Sequence, residues 1–164
     1  MALGGIPHYL KNIESGKSTT QIIDDLCFSD TGILKNEFSK LYPALFENAE
    51  KHIQVIRALT QKWQGMSRQE IVKTIAFSDG GTLTRILEEL IQSGFISAYY
   101  PYGKKKKGMM YRLTDEYSLF YLQFIEKNRQ EGRQTWHHIS QTQAYKIWSG
   151  YAFESICIKH LPQI

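Results

Sequence analysis

Catalytic signatures are missing from this chain of 164 residues. It holds no Gly-x-Ser-x-Gly, and no carboxylate pair is backed by a neighbouring histidine or basic residue in a recognisable order, so nothing presents a nucleophile, base and orienter together. No catalytic residue is therefore assigned. No apolar run approaches the roughly 18 to 20 residues that cross a bilayer, and residues 1–9 lack the basic start and long apolar stretch of a signal peptide. The chain reads as cytoplasmic, with no membrane partner. Cysteine is scarce: Cys27 and Cys157 lie far apart, with no CxxC and no histidine at ligand spacing, which favours two buried thiols over a disulfide or a metal site. The histidines offer no metal site either. His137 and His138 are adjacent and diverge on a helix, while His8, His52 and His160 have no second ligand three or four residues on.

Net positive charge is also lacking, except in one place. The 20 Lys and Arg exceed the 16 Asp and Glu to give +4, and the run Lys104, Lys105, Lys106 and Lys107 accounts for the whole excess. Gly103 and Gly108 bracket it. An otherwise neutral chain that gathers its charge at one point suggests a contact there with phosphate or an acidic surface. A solvated loop is the alternative. One apparent phosphate motif fails on closer reading: Gly16-Lys17-Ser18-Thr19 imitates the end of a P-loop, but the leading glycine would fall on Lys11 and no strand precedes it. The first turn that makes successive amides converge on phosphate is absent, so this stretch reads as a linker glycine followed by a helix cap.

What is present is mostly helix. With 42% hydrophobic residues the chain can bury a core, in one domain or two small ones. Residues 1–46 read as a small helical segment: Pro7 to Glu14 is a short helix, Ser18 or Thr19 caps a second through Ile22, Ile23, Leu26 and Cys27, and Leu34, Phe38, Leu41 and Leu45 mark a third that bends or ends near Pro43. Residues 47–114 follow a different pattern. Ile53, Ile56, Leu59 and Trp63 share one helix face before Gly65, and Ser67-Arg68-Gln69-Glu70 is a capping box that opens a second helix. A third helix buries Leu83, Ile86, Leu87, Leu90 and Ile91 and ends at Gly94. Two strand-like runs, residues 95–102 and 109–113, then flank the lysines as a hairpin. This order predicts a winged helix-turn-helix, with the hairpin as its wing. Residues 115–164 form long C-terminal helices, at 115–128 and 143–160, the second with an aromatic face at Trp148, Tyr151 and Phe153 that suits a core or a subunit interface. The expected fold is mainly α, with a small β-hairpin.

The third helix argues against base readout. Residues 82–93 hold Arg85 against Glu88 and Glu89, and an acidic pair beside a phosphate backbone is repulsive. Thr82, Arg85 and Arg112, with the four lysines, are the candidate residues for nucleic-acid or partner contact. The lysines would track a backbone without reading sequence.

Several segments resemble one family. Gly4-Gly5-Ile6-Pro7-His8-Tyr9-Leu10, residues 41–46, the turn 78–81, residues 111–121 and Trp148-Ser149-Gly150-Tyr151-Ala152-Phe153-Glu154 are similar to the C-terminal half of prokaryotic archaeal-type, STAND-like AAA+ ATPases. The resemblance covers nearly the whole chain. It implies the end of a helical lid, a winged helix, and the start of a C-terminal domain resembling restriction-endonuclease folds, with both chain ends cut from something larger. ATP and Mg would belong to the N-terminal ATPase core of the full-length parent, and no cofactor to these residues. Gly5 and Pro7 match the Gly-x-Pro element whose proline lies against the nucleotide base in such ATPases. A proline in the first helical turn after a glycine break accounts for the same residues.

The expected function is a non-catalytic regulatory or interaction fragment, its winged helix coupling nucleotide state to DNA or protein binding. The expected partners are the missing ATPase core and either DNA, bound without sequence preference, or a protein; oligomerisation is left open. The alternative is a free-standing winged-helix transcriptional regulator, for which a more basic third helix would be expected.

Overall fold

The computed structural model describes residues 2–103, 108–129 and 134–161. Lys104, Lys105, Lys106 and Lys107 lie outside the described residues. The described chain is mainly helical, with a small three-stranded antiparallel sheet. Its contacts divide it into two units, one made of residues 1–40 and 116–164 and the other of residues 41–115. Charge divides with them. From the sequence, 11 basic and 7 acidic residues fall within 41–115, against 9 and 9 in the remainder, so the whole excess belongs to the second unit.

In the first unit, α1 (Pro7–Leu10) starts with proline at its first position, where the missing N–H costs nothing. It is shorter than the eight residues expected. Ser18 caps α2 (Thr19–Ile23) through a full capping box with Gln21. The helix then widens into a π-turn over Asp24–Phe28. After a 3-10 turn at Ile33–Lys35, α3 (Phe38–Leu45) carries Pro43 inside it and ends soon after. The boundary between the units falls within α3. Beyond residue 115, α7 (Glu116–Phe120) continues through a second π-turn at Tyr121–Ile125. Then come α8 (Thr135–Ile139) and α9 (Gln143–His160).

Aromatic rings fill this unit. Phe38 stacks on Tyr121 at 4.4 Å between centroids, and Phe120, Phe124, Trp136 and Trp148 meet edge to face or tilted at 5.2–5.9 Å. Long-range polar contacts join its halves. The buried Tyr117 hydroxyl donates to the Leu34 carbonyl at 2.8 Å, and the Trp136 backbone N–H donates to the buried Asp24 carboxylate at 2.7 Å. Burial pushes the Asp24 carboxyl up from its ordinary range. Of the aromatic face expected on α9, Trp148 is buried, but Tyr151 and Phe153 are exposed. Cys27 is buried and Cys157 exposed, so only one of the thiols lies inside; both are free.

The second unit runs α4 (Ala49–Leu59), β1 (Met66–Ser67), α5 (Arg68–Ile75), α6 (Gly81–Gln92), β2 (Ile96–Tyr99) and β3 (Met110–Leu113). β3 lies in the middle of the sheet, antiparallel to both neighbours: Met66 faces Tyr111 on one side, and Ile96 faces Leu113 on the other. The alternation that buries Tyr111 and Leu113 turns Met110 and Arg112 to the other face. Leu83, Ile86, Leu87 and Leu90 of α6 are fully buried, as are Ile56 and Leu59 of α4 and Ile71 of α5. These positions follow the 3.6-residue period that the sequence displays. β1 is two residues long and carries no readable period. The capping box at Ser67 is formed, with the Ser67 hydroxyl accepting from the Glu70 N–H and the Glu70 carboxylate accepting from the Ser67 N–H.

Candidate nucleic-acid or partner interface

The start of α6 is held by a clamp. The turn between α5 and α6 needs a left-handed residue at Ala76, φ 50°, and its return to helix begins at Gly80. Arg68, in the first turn of α5, reaches across this turn. Its Nε donates to Asp79 Oδ1 at 2.6 Å and its Nη2 to the Gly80 carbonyl at 3.0 Å. A guanidinium is suited to this because its donors are fixed in one plane. Nearby, Lys51 lies over the Phe77 ring at 5.1 Å. Both devices set the direction in which α6 leaves the turn.

With Leu83, Ile86, Leu87 and Leu90 turned inward, α6 presents Thr82, Arg85, Glu88 and Gln92 to solvent. Thr82 and Arg85 are three residues apart and share a face. Arg85 does not stand as an isolated cation, since its Nε lies 3.7 Å from Glu89 Oε1. Other cations of this unit are matched in the same way: Lys62 pairs with Glu70, and Arg68 with Asp79. The Lys62 ammonium, then the Ser67 N–H and hydroxyl, hold the Glu70 carboxyl down at about 2. The described surface of this unit thus carries local charge pairs, which fits the neutral balance the sequence has once the lysine run is set aside.

Glu89 has a second partner. His52, on α4 and only 2% exposed, places Nε2 at 2.7 Å from Glu89 Oε2 and Nδ1 at 3.2 Å from the Asn48 carbonyl oxygen. Its ring lies flat on Phe46, with centroids 4.1 Å apart and planes 6° apart. These groups wall a cleft of about 260 Å³, whose other lining residues include Glu47, Arg85, Gln92 and Ser93. The sequence gives no sign of this arrangement, because His52 and Glu89 stand 37 positions apart. It also changes the reading of Glu89, which faces a buried histidine and an arginine and is not a bare surface acid.

Arg112 lies on β3 opposite Ser97, half-buried, and its Nε is buried without a hydrogen-bond partner among the described residues. Gly5 and Pro7 belong to the first unit. Gly4 and Gly5 both take left-handed conformations, φ 60° and 69°, and Pro7 follows as the first residue of α1. A Cβ on Gly5 would meet nothing within 4 Å. Among the described residues no group of three His, Cys, Asp or Glu could hold a metal ion, and no helix is long and apolar enough to cross a membrane. No known protein family, curated protein or solved structure matches the chain.

Proposed function

We propose that residues 41–115 form a winged helix-turn-helix and that the chain is the non-catalytic interaction part of an archaeal-type, STAND-like AAA+ ATPase. The observation that carries this reading is the order helix, strand, helix, helix, strand, strand over residues 49–113, with the last strand central in the sheet. In this reading α5 and α6 are the helix-turn-helix, and the segment joining β2 to β3, with its four lysines, is the wing. The wing meets phosphate or an acidic protein surface without reading sequence. The paired charges of α6 support this division of labour: with Arg85 beside Glu89, and Glu88 exposed, that helix offers little attraction to a polyanion.

The winged helix moves as a body when the nucleotide state of the parent's ATPase core changes, so binding is coupled to ATP and Mg held elsewhere. In this reading Gly5 and Pro7 report that state, as the Gly-x-Pro element beside the nucleotide base. Binding to several unrelated DNA duplexes tests the reading. Weak affinity of similar size for all of them is expected. Tight binding to a single site would instead favour a free-standing transcriptional regulator, and ATP turnover by this chain alone would overturn the non-catalytic assignment.

A further inference from the structure

Both ring nitrogens of the buried His52 face oxygen atoms, so the hydrogen-bond roles at this site depend on where its protons sit. A backbone carbonyl and an ionised carboxylate offer lone pairs and no hydrogen. Neutral imidazole carries a single N–H, so it can satisfy Asn48 or Glu89 but would turn a lone pair toward the other. The two contacts, at 3.2 and 2.7 Å, coexist when one further proton sits between His52 and Glu89, on Nε2 as imidazolium or on Oε2 as the carboxylic acid. Rotating the ring away would break its stack on Phe46. The charged groups facing it are Glu89 and, behind that carboxylate, Arg85, both from α6, with Glu47 from the turn before α4 lining the same cleft. Its own helix contributes the Asn48 carbonyl.

We propose that His52 and Glu89 form a proton-dependent latch between α4 and α6. With the extra proton, the C-terminal half of α6 is fastened to α4. Without it, the ring either serves Asn48 and turns a lone pair toward Glu89 or serves Glu89 without its positive charge, and in both cases the tie to α6 weakens and the cleft beside Arg85 loosens. Since α6 carries the exposed residues Thr82, Arg85 and Glu88, the latch acts on the surface that this unit presents. It stands whether or not that surface meets nucleic acid, because it depends on the geometry within residues 41–115 alone.

The test uses the full chain across a pH series, with ring-nitrogen NMR shifts reporting the protons on His52 and amide hydrogen exchange reporting residues 89–93. As the pair gives up its proton, exchange at these amides is expected to rise by roughly tenfold beyond the intrinsic effect of pH, the cost of one charge-assisted bond. Glu89→Gln is the deciding variant. Its amide can donate to a bare Nε2, so the contact survives beside a neutral ring and the excess rise disappears. His52→Gln should abolish it too. The latch is overturned if wild-type exchange follows the intrinsic pH effect alone throughout the series, if the pair never carries the extra proton, or if Glu89→Gln keeps the excess. Should the variant fail to fold, the first two outcomes still decide.

Discussion

Replacing Gly65 by alanine should damage the second unit more than any other glycine change of similar conformation. Gly65 sits at φ 87°, just before β1, and a Cβ built there would lie 2.3 Å from the Tyr111 carbonyl oxygen and 3.3 Å from Arg112 Cα. Both obstacles are backbone of the central strand, which cannot swing aside as a side chain would. Left-handed strain costs about 1–2 kcal/mol and forced backbone displacement about 1–3 kcal/mol, while the stiffer unfolded chain returns about 0.4–1 kcal/mol. The net loss is then roughly 1–5 kcal/mol, a large share of an ordinary domain's stability of about 5–15 kcal/mol. Gly94 is the control: its φ is 76°, but a Cβ there would meet nothing within 4 Å. Gly94→Ala should therefore cost about 1 kcal/mol, from strain alone. Urea unfolding followed by circular dichroism measures both, provided the slope with denaturant stays constant. A Gly65→Ala loss no larger than that of Gly94→Ala would refute the close approach of this turn to β3.

Two further outcomes are expected in the rest of the molecule. Tyr117→Phe leaves the Leu34 carbonyl without its buried donor and should cost about 1–3 kcal/mol, measured by thermal or urea unfolding. The Glu70 carboxyl is held at about 2, below its ordinary 4.5, by Lys62 and the capping box. A depressed folded-state value means the contribution is full above about 4.5 and is lost as pH falls toward 2. Unfolding measured across that window should show wild type losing this increment and Glu70→Gln lacking it. Partial exposure of the carboxylate makes the increment modest.

Helix period and capping chemistry made the second unit the more legible of the two. The Ser67 capping box and the buried positions of α6 follow directly from local sequence, since both depend on residues three or four apart, except that Ile91, expected inside at the end of the helix, is exposed. What escaped was everything set by distance along the chain. β1 exists because Met66 and Ser67 find Tyr111 and Met110, and two residues cannot display a period. The packing of residues 1–40 with 116–164 rests on pairs such as Leu34 with Tyr117 and Asp24 with Trp136, 83 and 112 positions apart. The π-turns at 24–28 and 121–125 break the very spacing by which helices are recognised, which is why the hydrophobic run there reads as plain helix. On α9, sequence does not distinguish Trp148, which the core takes, from Tyr151 and Phe153, which it leaves outside. In the candidate interface, Thr82 and Arg85 were legible as exposed positions of α6. The His52 partnership with Glu89 was not, for no local rule links a histidine on one helix with a glutamate on another.

The salt dependence of DNA binding tests the central claim most directly, with Lys104, Lys105, Lys106 and Lys107 all changed to serine. Each phosphate neutralised by a lysine contributes about 0.9 to the slope of log affinity against log salt. If the lysine run is the polyanion contact, the four substitutions should flatten that slope by up to about 3–4 and remove most of the binding. An unchanged slope, with affinity intact, would contradict the account.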